Sequence, residues 1–412
     1  MSSHILLSDI KFIKSNIENK FSQDFSYIFD SSYDVPKTNV FLLLKYQDYF
    51  INLLDYTRYF KTKEEHFFLS YDSLLSSYMI ELNVTLTEYG IEIHISGIST
   101  KIVEICSLFI EFLFKNKDAD RSSLVLFKIK NNLIREKFAQ SYKRLFQKLK
   151  SLFIEDYSMS EDMLNDISKI ENSSNDTNSN LEDKIINNIV NSDNFRCEIY
   201  VIGNILLEEA ECIKNIVNSK SNISFNTKNG LIACEEFVDS YDVSNNACGL
   251  FFPTNKTTDL KNKVISSFIV NSVSEIFFDQ LRTNEEFGYV VSANTYKILD
   301  QEFIYFVVQS ERDVKDIKDR IFKFIEFTKK YLKEMKEEEF LNRKEAIRDH
   351  FSESHKNLSS YSNFLYTKGI CGLNGLKYKE EIVQYIENMK LNEVIDSKML
   401  EKCIVISTKR KK

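Results

Sequence analysis

The two halves of the chain repeat one order of apolar and polar patterns. The first half predicts a strand at 38–46, a helical stretch up to about 81, a hairpin at 81–97, helices at 101–115 and 124–153, and a strand at 197–203. The second half predicts a strand at 247–252, a helix at 259–279, a hairpin at 289–296 and 302–310, helices at 314–335 and 337–351, and a strand at 403–407. Strict alternation is typical of half-buried strands, and the 3.6-residue period is typical of amphipathic helices.

This repeat of about 180 residues predicts an α+β fold made of two tandem homologous domains. Each domain is expected to be a mostly antiparallel β-sheet covered by α-helices on one face. Polar runs without period predict a loop at 172–180 and a linker at 219–230. The predicted organisation is a lead-in with a linker helix at 1–32, domains at 33–218 and 231–408 on either side of the linker, and a basic tail at 409–412.

Charge and cysteine usage narrow the function classes. The formal net charge is −7, which argues against a nucleic-acid partner because such proteins usually present a basic face. The most apolar segment, 102–114, contains Glu104 and Glu111 and is too short to span a bilayer. The seven cysteines show no C-x-x-C spacing, which is typical of reduced thiols. With no signal-peptide pattern at the N-terminus, we expect a cytoplasmic protein without a membrane partner.

The sharpest local signal is the segment at 277–291, which joins the predicted helix at 259–279 to the second predicted hairpin. The helix should end near Arg282, Gly288 should supply the freedom for a reversal, and Tyr289 should open the strand. A guanidinium and a neutral phenol can hold a peptide carbonyl and stabilise the oxyanion formed on it, but they cannot activate water unaided.

Two plainer interpretations of the same segment stay open. Arg282 can instead form an ion pair with Glu285 or Glu286, and Tyr289 can be an ordinary aromatic residue of an edge strand. The spacing of Thr283 and Glu286 also fits a capping box for a following helical turn.

The run Leu-Arg-Thr-x-Glu-x-x-Gly-Tyr-Val at 281–290 resembles the signature in the last domain of the insulinase/pitrilysin family of metallopeptidases. Further segments resemble the same family in the same order, at 34–40, 81–97, 200–204, 245–249 and 306–311, so the resemblance covers about residues 33 to 408. It implies the LuxS/metallohydrolase-like peptidase fold and identifies the chain with the C-terminal half of a zinc metalloendopeptidase.

The resemblance also implies roles and partners. In this family two halves close over a chamber, and the N-terminal half carries zinc on an H-x-x-E-H motif. Arg282 and Tyr289 would then contact the substrate backbone, with Tyr289 stabilising the oxyanion, while Gly288 would be structural. The expected partners are an H-x-x-E-H-bearing half or homologous subunit, and peptide substrates.

The sequence itself contains no H-x-x-E-H or H-E-x-x-H motif. Its near miss is His350 and His355, which are five residues apart and would diverge by about 140° on a helix. We expect both to be exposed helix-end residues, and His94, which alternates with two isoleucines, to be a structural or a solvated histidine rather than a ligand. The chain is therefore expected to bind no metal or other cofactor and to be inactive alone, with zinc in the missing half. The alternative function is a pseudopeptidase that binds peptides or scaffolds a larger complex.

Overall fold

The structure is a computed structural model, and it describes residues 12–13, 18–22, 24–46, 53–87, 89–115, 131, 141–154, 195–216, 236–241 and 245–410. The predicted loop at 172–180 and linker at 219–230 lie outside these residues, as does nearly all of the helical pattern at 124–140. Two compact units are present. The first is drawn from Met1–Ile134, Ser160–Asn226 and His355–Tyr366, and the second from Arg135–Met159, Thr227–Ser354 and Thr367–Lys412.

The described elements follow the predicted order closely. The strands are β1 (Lys20–Phe21), β2 (Phe25–Phe29), β3 (Lys37–Tyr46), β4 (Glu81–Thr87), β5 (Gly90–Ile98), β6 (Phe195–Gly203), β7 (Glu236–Tyr241), β8 (Asn246–Lys256), β9 (Val290–Ile298), β10 (Gln301–Ser310) and β11 (Ile404–Arg410). The helices are α1 (Leu53–Ser77), α2 (Ser99–Lys115), α3 (Ser141–Phe153), α4 (Leu207–Ile216), α5 (Leu260–Phe278), α6 (Val314–Glu334), α7 (Glu337–Ser352), α8 (Leu358–Gly369), α9 (Gly375–Asn388) and α10 (Leu391–Asp396).

The first unit holds a six-stranded sheet in the order β1-β2-β6-β3-β5-β4. The pairing is antiparallel except between β2 and β6, which run parallel. The prediction of a helix within the lead-in at 1–32 is wrong for its described part, because Phe25–Phe29 is a strand. Phe25 and Tyr27 are buried, and a period-2 pattern of this kind places such residues on one face of a strand.

One face of this sheet is covered by helices, as predicted. Val40, Leu42 and Leu44 of β3 alternate into a core that also contains Phe67 of α1 and Phe109 of α2. Because side chains of a strand point alternately to its two faces, the residues between them are left on the other side of the sheet.

That other face of the first sheet also carries a helical segment, taken from late in the sequence. Phe41 stacks on His94 with ring centroids 4.3 Å apart and on Tyr366 at 4.4 Å. Asn39 donates to the hydroxyl of Ser362 at 3.1 Å. Residues 355–366 are thereby part of the first unit, although more than a hundred residues of the second unit precede them.

The second unit holds a five-stranded sheet in the order β7-β11-β8-β10-β9, antiparallel except for the β7–β11 pair. The α+β fold class with mostly antiparallel sheets is therefore confirmed. On one face, Phe306 of β10 packs at 5.3 Å from Phe277 of α5 and 6.0 Å from Phe324 of α6. On the opposite face, Phe146 of α3 lies 5.4 Å from Phe251 and 5.0 Å from Tyr305.

Candidate functional site

The predicted signature forms a tight connection from α5 to β9 in the second unit. The helix does not stop at Phe278 but widens into a π-helical turn at Asp279–Asn284. The main-chain N–H of Phe287 then donates to the carbonyl of Leu281 at 2.7 Å, and Glu286 adopts a positive φ of 47°. Thr283 lies inside this turn and no helix begins at Asn284, so the capping-box prediction for this segment is wrong. The wide turn instead carries the chain directly to the edge of the sheet.

Gly288 lies where the connection passes close to β10. A Cβ atom placed on it would lie 2.8 Å from the carbonyl oxygen of Gln309 and 2.8 Å from Cγ1 of Val308. Its φ is not in the left-handed region, so conformational freedom is not the reason for glycine here. Glycine is needed because the neighbouring strand leaves no room for a side chain.

Arg282 closes this connection. Its Nη1 donates to the carbonyl oxygen of Gly288 at 3.0 Å, and its guanidinium carbon lies 6.0 Å from the centroid of the Tyr289 ring. The alternative ion pair with Glu285 does not form, because Glu285 is held by Arg320 at 2.5 and 2.8 Å. Arg282 is exposed, and one main-chain contact uses only a small part of its five donors.

Tyr289 lies immediately before β9 and is 54% exposed. Its main-chain N–H donates to the carbonyl of Gln309 at 2.8 Å, which extends the ladder between β9 and β10 by one bond. Its hydroxyl donates to Oε1 of Glu311 at 2.8 Å. This hydrogen bond to a carboxylate raises the pKa of Tyr289 above its usual value, so the phenol stays neutral and protonated.

The backbone around Tyr289 is held by further polar contacts. Ser310 donates through its hydroxyl to the carbonyl of Phe287 at 2.6 Å, and the guanidinium of Arg312 lies 4.5 Å above the Phe287 ring. The hydrogen bond from Arg320 lowers the pKa of Glu285, which keeps that carboxylate ionised. The structure therefore brings Arg282, Gly288 and Tyr289 together on a well-anchored turn.

Glu311 is the site residue that the sequence interpretation assigned no role. The register of the hairpin is the feature from which its position could have been inferred, because Val290 is opposite Gln309. Continuing that register by one residue places Ser310 opposite Tyr289, and Glu311 follows it. A long acidic side chain so close to the strand end is within reach of the phenol.

The described residues do not fit a zinc site. Among them, no three His, Cys, Asp or Glu side chains are close enough to hold a metal ion. His350 lies exposed in the last turn of α7, as predicted. His355 is half-buried rather than exposed, because its ring packs 4.6 Å from Phe364 within the first unit.

His94 projects away from Ile93 and Ile95, as its alternation predicted. Its Nε2 lies 3.1 Å from Oδ1 of Asn39, and its ring stacks on Phe41. Burial lowers the pKa of His94 to about 4, against a smaller opposing effect of Glu81. The histidine is thus a neutral part of the packed face of the first sheet.

The predictions of no membrane span and of buried, reduced cysteines can both be compared with the described residues. No described helix combines the length and the apolar character that a membrane span requires. The six described cysteines are free thiols: Cys106, Cys197 and Cys248 are buried, Cys371 and Cys403 are half-buried, and Cys212 is exposed. The expectation of buried thiols is therefore met at three of these six positions. A cytoplasmic location stays a prediction.

Comparison with known proteins finds a matching family model and similar curated proteins. The family described as "PQQ synthase PqqF-like, C-terminal lobe domain 4" matches residues 268–366. Insulin-degrading enzyme of Drosophila melanogaster is 23% identical over 295 residues, which cover 67% of this chain and 28% of that enzyme. The A-factor-processing enzyme of Saccharomyces cerevisiae is 29% identical over 133 residues, covering 32% of this chain and 13% of that protein.

Solved structures show the same fold along almost the whole chain. Pitrilysin is similar with a TM-score of 0.78 at 16% identity, over 97% of this chain and 44% of pitrilysin. A protease from Helicobacter pylori gives a TM-score of 0.70 at 12% identity, over 95% of this chain and 99% of that protein. A structure described as the peptidase M16 inactive domain from Pseudomonas fluorescens also gives 0.70 at 12% identity, over 97% and 99%.

The resemblance to the C-terminal half of an insulinase-family peptidase is confirmed by these matches. The structural likenesses are at low identity, so they show the fold alone. The chain spans well under half the length of the curated relatives it matches. The activity, substrates and partners of those longer proteins are therefore not established for this chain by the comparison.

Proposed function

We propose that this chain, which resembles the C-terminal half of insulinase-family peptidases, is the half without zinc ligands of a peptide-degrading chamber. A zinc-bearing half with an H-x-x-E-H motif would complete the chamber, either as a separate subunit or as another part of a longer polypeptide. The metal of that half would supply the activated water, and this chain would bind and orient the peptide.

The observation that carries the proposal is the paired exposure of Arg282 and Tyr289 on one anchored turn. The guanidinium carbon lies 6.0 Å from the phenol ring, and 54% of Tyr289 is accessible to solvent. A neutral phenol and a cation on one side of a peptide carbonyl stabilise the negative charge that develops on its oxygen. The raised pKa of Tyr289 keeps its hydroxyl protonated, which such donation requires.

The test is reconstitution of the chain with an H-x-x-E-H-bearing half recovered by affinity capture from the source cells. We expect the pair to hydrolyse a fluorogenic peptide and each half alone to be inactive. Tyr289→Phe should lower kcat about 100-fold, the usual loss for one oxyanion donor. The matched control is Tyr331→Phe, since Tyr331 also donates to a glutamate, Glu339, but lies within α6.

Chelator-sensitive peptide cleavage by the purified chain alone would refute this proposal. Equal activity of the pair with wild-type chain and with Tyr289→Phe would remove Tyr289 from the reaction while leaving the chamber.

A second candidate function is a pseudopeptidase that binds peptides or scaffolds a complex without cleaving. It is favoured by the likeness to the peptidase M16 inactive domain, of which 99% is covered, and by the internal bonds that Arg282 and Tyr289 already make. Capture of only partners without an H-x-x-E-H motif, together with peptide binding that yields no product, would support this candidate over the first.

A further inference from the structure

The hydroxyl proton of Tyr289 is already committed. A phenol has one O–H donor and lone pairs that accept, and here the donor points to Oε1 of Glu311 at 2.8 Å. Toward any incoming ligand, the hydroxyl therefore presents lone pairs rather than a proton. Donation to a peptide oxygen, the role in the proposed function, requires that the bond to Glu311 be exchanged first.

The carboxylates of Glu311 and Glu285 differ in whether a basic side chain forms an ion pair with them. Glu285 is held by Arg320 at 2.5 Å, whereas Glu311 forms no ion pair with any lysine or arginine in the described ranges. Arg282, on the same turn as Tyr289, likewise donates to a main-chain carbonyl and to no described carboxylate. An unbalanced anion and an unbalanced cation thus lie close to one exposed phenol.

A negative charge beside the phenol opposes the negative charge of an oxyanion bound to that same phenol, because like charges repel strongly where water is excluded. A cation that binds the Glu311 carboxylate removes this repulsion. It also competes for the carboxylate oxygen that holds the phenol proton. A peptide can bring such a cation on a lysine or arginine side chain.

Resting on the proposed function, we infer that Glu311 is a positioning residue that holds the Tyr289 hydroxyl until a basic side chain of the bound peptide takes the carboxylate. The substrate class is then peptides with a lysine or arginine near the carbonyl that Tyr289 contacts. Arg282 completes the recognition by offering its unused donors to the peptide backbone.

The experiment compares two blocked Ala/Ser peptides that differ only at one central residue, arginine or citrulline. Citrulline keeps the shape of arginine and removes its charge, so the ratio of the two Kd values isolates the charge. The full chain is labelled with carbon-13 at the tyrosine Cζ atoms, and the Tyr289 signal is assigned with Tyr289→Phe. Binding is followed by NMR titration, which measures weak affinities without the zinc-bearing half.

We expect the wild-type chain to bind the arginine peptide about fivefold more tightly, the gain of one good ion pair near a surface. The ratio should fall to about one in Glu311→Gln and stay near fivefold in Asp313→Asn. Asp313 is a matched control because it is an exposed acid two residues away, and its side chain makes no capping bond to α6. The arginine peptide should also shift the Tyr289 signal toward its position in Glu311→Gln.

Equal binding of the two peptides, a preference kept in Glu311→Gln, or no binding of either peptide would each overturn the inference. None of these measurements uses catalysis. The two proposals can fail separately. If the preference for the arginine peptide depends on Glu311 but no zinc-bearing half makes the chain active, the inference stands and the proposed peptidase role is refuted.

Discussion

The guanidinium of Arg282 donates to the carbonyl oxygen of Gly288 at 3.0 Å, and it thereby closes the turn on which Tyr289 is displayed. Arg282→Ala should lower the free energy of unfolding by about 1 kcal/mol, the usual net value of one such hydrogen bond. It should also speed amide exchange at 285–289, because the turn loses its closing contact. Hydrogen exchange read by mass spectrometry measures the second effect. Arg348→Ala, a change on the exposed face of α7, should leave that segment unchanged.

The close approach at Gly288 predicts a cost for any side chain there. In Gly288→Ala, the new Cβ would meet the Gln309 carbonyl and Val308 Cγ1 at 2.8 Å, so β9 and β10 must separate locally. We expect a loss of about 2 kcal/mol in the free energy of unfolding, as for other overpacked sites. Urea unfolding measures it.

Gly372 offers a contrast with Gly288. Its φ is +73°, and the nearest atom to an added Cβ would be 4.0 Å away. Gly372→Ala should cost about 1 kcal/mol from backbone conformation, and Gly372→Asn should cost less, since asparagine tolerates this region. If asparagine at position 288 were tolerated equally well, close packing would not be the reason for Gly288.

The half-buried imidazole of His94 predicts a stability that depends on pH. Its pKa is about 4 in the folded chain, lowered from 6.5 mainly by burial, so the unfolded chain binds the proton more readily. The contribution of His94 is thus fully present above pH 6.5 and is lost as the pH falls to about 4. The loss amounts to at most about 3 kcal/mol, from the size of the shift.

The variant His94→Phe isolates this effect. Phenylalanine keeps the stacking on Phe41 and does not titrate, although the contact with Asn39 is lost. Glu81 lies close to His94, and the pKa of Glu92 is raised by burial, so both acids titrate in the variant as well. The free energy of unfolding of the wild type, relative to that of the variant, should fall as the pH falls from 6.5 to about 4. A difference that stays constant between pH 6.5 and 4 would contradict the assignment.

The packing of α3 predicts that Phe146 anchors it to the second sheet. The ring lies 4.7 Å from Tyr296, 5.0 Å from Tyr305 and 5.4 Å from Phe251. Phe146→Ala should lower the free energy of unfolding by about 3 kcal/mol. Limited proteolysis should cut first within 141–153. Phe327→Ala, at a partly exposed aromatic residue of α6, is the control and should cost much less.

The order of strands and helices was predictable because each element carries its own period. The hairpin of β4 and β5 and the hairpin of β9 and β10 lie within two residues of their predicted positions. The exposed positions of Arg282 and Tyr289 also follow from a helix that ends just before a strand. The strand β2 in the lead-in was not predicted. It is a short parallel partner of β6, and parallel pairing depends on a strand far away in sequence.

The contacts of the site side chains were less predictable than their positions. The bond between Tyr289 and Glu311 depends on hairpin register, and the choice of Arg320 rather than Arg282 for Glu285 depends on how α6 packs. The role of Gly288 was assigned to backbone freedom because a sequence shows residue types and not the distance to a neighbouring strand. Long-range proximity decided all three points.

The placement of α3 and of residues 355–366 gives the chain an unusual dependence on its own synthesis. Each unit needs a segment encoded within the other half of the sequence. The first sheet cannot acquire Tyr366 against Phe41 until more than 300 further residues have been synthesised after Phe41. If the chain were divided within 219–230, each sheet and the segment that packs on it would belong to different polypeptides. A product that ends in this region would therefore lack residues 355–366 of its first unit, and we expect it to require chaperones or to be degraded.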